Sequence, residues 1–380
     1  MDEIYFDNAA TTAVDADVAQ LACKVMCEQY GNASSLHSKG VEAQLLMERA
    51  QKQVLTALGA KSGKIIFTSG GTEANNLAIF GGASAKKRRG NRVITTTIEH
   101  SSVIDSAREL KKQGFDVIEI APEQNGVISA EKLLSFCNED TILVSVMAAN
   151  NEIGTVQPIE KIAKSLKRLS PNALMHVDAV QAFGKMPLSV SALGVDLMTV
   201  SGHKIHAPKG IGALYIADKV KIDPRQFGGG QQGKIRPGTE SVPLIAALGL
   251  AAQNAHKNLA ENAAKAAAAK AELLSLLNEI EGITINSPEE NCLPYVLNCS
   301  VLGYRSETLL HFLEAQKIYV SSGSACSMGA KSHVLAAMGK TPAEIDSALR
   351  ISFSKYSTAE QAQFFVQQIK SAMSTLRRAR

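Results

Sequence analysis

Lys64-Ile65-Ile66-Phe67-Thr68-Ser69-Gly70-Gly71-Thr72-Glu73-Ala74-Asn75 is a short apolar run that closes on a glycine pair and opens a helical pattern. Its near-continuous apolarity reads as a strand buried on both faces. The glycines behind it let the backbone close on an anion, and the start of the following helix offers unpaired amides. The same rhythm repeats along the chain, in Arg92-Val93-Ile94-Thr95, Val117-Ile118-Glu119-Ile120, Ile142 to Met147, Met175-His176-Val177, Leu197 to Val200 and Ala213-Leu214-Tyr215-Ile216. Alternating with helical patterns from about residue 64 to 216, these runs predict an α/β architecture: a mostly parallel seven-stranded sheet sandwiched by helices.

Beyond the sheet, Val242 to Glu281 reads as one long helix joining two domains, with Gly249 as an interior weak point and Gly282 as the stop. Shorter mixed elements follow: strands near Ile283 to Asn286 and Tyr295 to Cys299, a helix from Glu307 to Gln316, then further strand and helix. The division this predicts is a large domain over 15–255 and a smaller α+β domain built from 1–14 and 256–380. No internal repeat is visible.

With 380 residues, 45% hydrophobic and 20% charged, the chain has the balance of a soluble globular protein of about two domains. A net charge of +4, from 40 basic and 36 acidic side chains, does not argue for nucleic-acid binding. The one basic cluster, Lys86-Lys87-Arg88-Arg89, reads as a solvated helix end. The amino terminus carries acids and no apolar core, and no run reaches the roughly 18 apolar residues of a membrane span, so a cytoplasmic protein is expected. Six cysteines, at 23, 27, 137, 292, 299 and 326, lack zinc-type pairing, so no metal site is expected. Cys23 and Cys27 share a helix face and are expected to be buried structural thiols.

In open α/β sheets ligands bind beyond the carboxyl ends of the strands. Several polar groups fall there: Gly71 and Thr72, then Glu99-His100, Asn150-Asn151-Glu152, Asp178 with Gln181 one turn on, and Ser201-Gly202-His203-Lys204. Each alone is a weak signal, since glycine pairs are usually turns and isolated histidines usually caps or core groups. Together they supply a phosphate cradle, a carboxylate, an imidazole and a lysine that burial can keep partly neutral, which is what pyridoxal phosphate requires.

These residues also carry a resemblance. Asp7-Asn8-Ala9-Ala10-Thr11-Thr12, Gly71-Thr72-Glu73, Glu99-His100, Asn150-Asn151-Glu152-Ile153-Gly154, His176-Val177-Asp178-Ala179, Ser201-Gly202-His203-Lys204, Arg236-Pro237-Gly238-Thr239 and Ser321-Ser322-Gly323-Ser324-Ala325-Cys326 resemble the NifS/IscS-type cysteine desulfurases, in order and spacing, over essentially the whole chain. The resemblance implies a fold-type I pyridoxal-phosphate homodimer acting on L-cysteine. It implies that Lys204 binds the cofactor's aldehyde, Asp178 holds the pyridine nitrogen protonated, Gln181 bonds the phenolic oxygen, and His100 stacks on the ring and accepts a thiol proton. Gly71, Thr72, Ser201 and His203 would hold the phosphate, with Thr239 arriving from the other subunit. Asn151 would contact cofactor and substrate, and Arg350 the substrate carboxylate. Cys326 would take sulfur as a persulfide, leaving alanine; its neighbours are small, as befits a loop that carries sulfur outward.

The stretch between Cys326 and Val334 is about two residues shorter than in the IscS form, which implies a narrower set of acceptors. The sequence ends at Arg380 without the family's longer scaffold-docking tail, which favours a tRNA-thiolating enzyme over an iron–sulfur scaffold as sulfur acceptor. Rival readings keep the fold: a selenocysteine lyase or aminotransferase would need Lys204 and Asp178 but not Cys326, and a non-catalytic scaffold would need none of them.

Overall fold

In the computed structural model, which describes residues 3–322 and 331–378, every one of the seven expected runs is a strand. In chain order the strands are β1 Ile4–Tyr5, β2 Lys64–Thr68, β3 Arg92–Thr96, β4 Asp116–Ile120, β5 Thr141–Met147 and β6 Leu174–Asp178. They continue as β7 Leu197–Ser201, β8 Gly212–Ile216, β9 Ile283–Ile285, β10 Val296–Val301, β11 Ile318–Tyr319 and β12 Ala348–Ser352. The main sheet has the order β2-β8-β7-β6-β5-β3-β4, with β8 antiparallel to both neighbours and the other pairings parallel.

The unbroken apolarity of these strands has a direct cause. Successive residues point to opposite faces, and both faces are covered: Ile94, Val144, Met175 and Met198 enter one core, while Val93, Leu143, Leu174 and Leu197 enter the other. Four helices precede or interleave with the first strands: α1 Ala16–Cys27, α2 Ser38–Ala57, α3 Gly71–Lys86 and α4 Ser101–Lys112. Helix α3 presents Ala74, Ala78 and Ala83 with Leu77 to the sheet, so its backbone lies close over the strand ends. His176 in β6 is fully buried between the Ser145 and Thr199 hydroxyls, and burial pushes its pKa down to about 3. It is a neutral core group.

The expected single helix is two, Val242–Lys257 and Leu259–Asn278. The break falls at Asn258 (φ −104°, ψ 18°), whose N–H closes the first helix on the Asn254 carbonyl and whose own carbonyl accepts the Asn262 N–H. Gly249 is no weak point. A Cβ there would meet the Ala50 Cα at 2.7 Å, so its missing side chain lets this helix pack tightly on α2.

The second helix and Ala359–Thr375 cover the antiparallel sheet β12-β10-β9, around a core of Phe6, Val296, Leu297, Ile351, Phe353 and Phe365. The chain start joins this core, because β1 pairs in parallel with β11 and the Ser352 N–H donates to the Phe6 carbonyl at 2.6 Å. Val334, Leu335, Met338 and Ala348 instead pack into the main core.

Two cysteine expectations need correcting. Cys23 and Cys27 are exposed, because α1 buries Val18, Ala22 and Val25 and both thiols lie off that stripe. Cys299, in β10, is buried. The Lys87-Arg88-Arg89 run is exposed at the end of α3.

Candidate active site

The carboxyl ends of β2, β3, β5, β6 and β7 open into one cavity of about 630 Å³. Gly71, Thr72, His100, Asn151, Asp178, Gln181, Ser201, His203, Lys204 and Arg350 all line it. Of the other two expected residues, Thr239 is exposed and outside this cavity, and Cys326 lies outside the described residues.

The cradle forms where β2 turns into α3. Gly70 caps the helix without a side-chain bond, which leaves the first-turn amides open to a ligand. A Cβ on Gly71 would stand 3.0 Å from Val180 Cγ2 and 3.6 Å from Ser201 Cβ, filling the space before Ser201. Ser201 Oγ is buried with no partner, an acceptor and donor awaiting a polar ligand atom. Behind the cradle, Glu73 accepts from the Ser69 N–H and pairs with Arg236 at 2.8 Å. Burial opposes ionisation of Glu73, yet these bonds hold its pKa below the usual value.

Asp178 ends β6 nearly buried and is held by two donors, the Val180 N–H at 2.9 Å and Asn75 Nδ2 at 2.8 Å. Asn75 Nδ2 also donates to Ser102 Oγ at 2.9 Å, and Ser102 Oγ lies 2.8 Å from His100 Nδ1. A four-residue chain therefore joins the carboxylate to the imidazole. The Ser102 N–H points at the same Nδ1 at 3.2 Å, which fixes that nitrogen as an acceptor and places the neutral ring's proton on Nε2. Burial, ahead of Asp178 pulling the other way and of Lys204, lowers the His100 pKa and keeps the ring neutral at pH 7. In this tautomer Nε2 donates, so accepting a thiol proton there requires the other neutral tautomer, with Nδ1–H donating to Ser102 Oγ.

His203 and Lys204 sit in a single 3-10 turn after β7. The His203 ring is 3.3 Å from Thr11 Oγ1, and burial takes its pKa down to about 4. Lys204 Nζ donates to the carbonyls of Ala9 at 2.5 Å and Ala10 at 2.7 Å. Gln181 Nε2 reaches the Ala9 carbonyl as well, at 3.0 Å.

Arg350 in β12 is 1% exposed, unlike a surface strand arginine. Nη2 pairs with Asp7 at 2.8 Å, Nη1 donates to the Asn151 carbonyl at 3.2 Å, and Nε has no partner. Its backbone exchanges both hydrogen bonds with Ser321, so Arg350 stands beside the segment that leads to Cys326. On the far side of that segment Lys331 and His333 line the cavity, and Ser332 Oγ donates to Glu152 Oε2 at 2.5 Å. Glu99, adjacent to His100, is wholly buried, and burial drives its pKa up to about 8.

The sequence motif model for aminotransferase class V matches residues 4–365. The chain belongs to the class-V aminotransferase family. Within it the chain is of the NifS/IscS type. It is 39% identical to the cysteine desulfurase IscS of Serratia proteamaculans, covering 98% of this chain and 93% of that one. The cysteine desulfurase IscS of Methanosarcina thermophila is 38% identical over the same shares. Among solved structures, a NifS-like protein superposes with a TM-score of 0.93 at 39% identity, covering 98% of this chain and 100% of that chain. SspA in complex with cysteine superposes with a TM-score of 0.82 at 33% identity, covering 93% of this chain and 100% of that one. The family's fold agrees with the α/β architecture and mostly parallel sheet expected from the sequence.

Asn75, Ser102, Asp7 and the carbonyls of Ala9 and Ala10 received no role from the sequence. Asn75 carried a signal: it lies one helical turn beyond Gly71, on the same face of α3. Among the described residues no helix is long and apolar enough to cross a membrane, and no group of three metal-ligating side chains is present.

Proposed function

We propose that this chain is a pyridoxal-phosphate-dependent cysteine desulfurase that converts L-cysteine to L-alanine and keeps the sulfur as a persulfide on Cys326. One observation carries the reading. A lysine, a buried carboxylate, a neutral imidazole, an open phosphate cradle and a buried arginine line a single cavity in a chain of this family. The residues fit the cofactor: Ser201 Oγ lacks a partner, the α3 amides lack a cap, and Asp178 is presented by two donors to one end of the cavity.

Lys204 would bind the aldehyde, Asp178 the ring nitrogen and Gln181 the phenolic oxygen, with His100 over the ring. Gly71, Thr72, Ser201 and His203 would take the phosphate. When bound, the cofactor supplies an electron sink for charge developing at the substrate's Cα. Arg350 and Asn151 bind and orient the cysteine carboxylate; the guanidinium suits it because its planar fork can serve Asp7 and a ligand together. Lys204 Nζ takes the Cα proton. Cys326 attacks the substrate sulfur as thiolate, the S–S bond forms as the C–S bond breaks, and the electron pair stays on carbon, where protons complete alanine. His100, turned to its other neutral tautomer with Nδ1–H on Ser102 Oγ, would take the Cys326 thiol proton at Nε2 and pass it toward the carbon that becomes alanine's methyl group. Thiol plus cysteine thus become persulfide plus alanine, with no external redox partner.

Thr239 supports a homodimer: it is exposed in its own subunit, and Arg236 ties its loop to the cradle through Glu73. Tyr30, Leu36, Leu45 and Phe227 add exposed apolar surface. The sulfur acceptor would be a tRNA-thiolating enzyme or an iron–sulfur scaffold, and persulfide transfer assays against each would separate the two. The primary experiment adds cysteine and locates sulfur by mass spectrometry. One extra sulfur on the Cys326 peptide, with equimolar alanine, is expected. Cys326→Ala should abolish sulfur release and keep the cofactor's absorbance; undiminished sulfide from that variant refutes the persulfide step.

A further inference from the structure

Lys185 is 6% exposed, four residues after Gln181 in the turns that follow β6. Its Nζ donates to Gln181 Oε1 at 3.2 Å and lies 5.7 Å from the centre of the Tyr295 ring. Taking an amine so far from water is costly, and one amide oxygen and a ring face offset little of that cost. Burial brings its pKa down to about 7, with Lys204 and Arg350 adding to the effect. His203, His206, Asp15 and Lys355 are the other charged or titratable groups near it. An aliphatic side chain would fill this space without the penalty.

The contact with Gln181 does something an aliphatic residue could not. The two ends of a glutamine amide have nearly the same shape, so partners decide which end faces where. Lys185 Nζ donates whether charged or neutral, and it therefore holds Oε1 turned toward itself. Nε2 is then fixed on the opposite side, with one N–H on the Ala9 carbonyl and the second available to the cavity that Gln181 lines. The Ala9 carbonyl is also a partner of Lys204, so the same contact ties Lys185 to the lysine proposed to bind the cofactor.

We propose that Lys185 is a positioning residue of this site: its bond to Gln181 Oε1 sets the amide so that Nε2 is offered to the cofactor's phenolic oxygen. The inference rests on the pyridoxal phosphate reading above and deepens it.

The test measures pyridoxal phosphate binding to the full-length apoprotein and the pH midpoint of the visible absorbance change of the loaded protein. Lys185→Met should bind about tenfold more weakly, the effect of one misdirected hydrogen bond. Its absorbance midpoint should move to higher pH by about half a unit or more, because a donor and a nearby positive charge are both withdrawn from the phenolic oxygen. In a Gln181→Ala background, Lys185→Met should add no further loss of binding. Parental binding with an unmoved midpoint, or losses that simply multiply, would overturn the proposal. Lys185→Gln serves if Lys185→Met does not fold. Its amide can still donate to Gln181 Oε1 without a charge, so pyridoxal phosphate binding should stay within about threefold of the parent's. A loss of about tenfold or more in that variant would count against the proposal. If the parent itself takes up no pyridoxal phosphate, the functional reading fails; if the parent binds and Lys185→Met matches it, only this inference fails.

Discussion

Arg350→Lys is the sharpest test of substrate binding at this site. Removing the side chain altogether would leave a void and strip Asp7, itself 21% exposed, of its partner; breaking a fully buried ion pair costs about 3–5 kcal/mol, and even part of that is enough to confuse folding with function. Lysine keeps the positive charge but loses the fork. In the parent, Nη2 is committed to Asp7 at 2.8 Å and Nη1 to the Asn151 carbonyl at 3.2 Å, while Nε is buried without a partner. A single ammonium cannot serve Asp7 and a substrate carboxylate with the same directed geometry. One charge-assisted hydrogen bond is worth about 1.5–3 kcal/mol, so kcat/KM for cysteine should fall roughly 10- to 150-fold. The carboxylate is bound alike before and during the reaction, so the loss should appear in KM with kcat nearly unchanged. Alanine formation measured across cysteine concentrations separates the two parameters. A KM within twofold of the parent, or a loss confined to kcat, would refute the assignment.

Asn75→Ala should lower stability by about 2 kcal/mol and weaken pyridoxal phosphate retention, because both Asp178 and Ser102 lose their shared donor; thermal melts and cofactor titration check this. Gly249→Ala should destabilise by about 1–3 kcal/mol in a denaturant titration, although helix propensity alone favours alanine by about 1 kcal/mol, because the new Cβ meets the α2 backbone. His176→Gln should flatten the acid limb of the stability curve. The unfolded chain binds a proton near pH 6.5 that the folded His176 refuses until about 3, so the parent loses stability as pH falls through that window, by about 1.4 kcal/mol per unit. Glu99 acts in the opposite sense: its folded pKa near 8 means that stability present below pH 4.5 declines as pH rises toward 8, and Glu99→Gln should remove that decline in equilibrium unfolding across pH 5–8.

The main sheet was legible because both its faces are covered, which makes each strand a compact apolar run, and because ligand-facing groups in such sheets follow strand ends. Asp178, Lys204 and His100 were placed at one cavity by that reasoning, and all three line it. The groups that hold them were not, since their partners are distant in sequence: Asn75 meets Asp178 across 103 positions and Asp7 meets Arg350 across 343. The helix break at Asn258 was hidden for a local reason. Both flanks are alanine-rich and helix-favouring, and Gly249 drew attention to a position whose real role is close packing. The burial expected of Cys23 and Cys27 failed because a shared helix face need not be the buried one.

The segment Asp7 to Thr12 shows how the two cores jointly make the site. Phe6 and Ala9 anchor it in the smaller core, and the Asn8 amide donates to the Tyr5 and Ser352 carbonyls. From there its polar groups reach across: Asp7 to Arg350, the Ala9 carbonyl to Gln181 and Lys204, Thr11 to the His203 ring, and Thr12 to the His203 carbonyl and the His206 N–H. Most of these contacts use backbone carbonyls or short hydroxyls, so small residues are needed for close approach. Arg350 comes from the smaller sheet and Lys204 from the larger, and this one extended segment touches both. Any displacement of it would therefore alter the spacing between the proposed carboxylate site and the proposed cofactor lysine together, which makes its position a condition for binding substrate and cofactor in register.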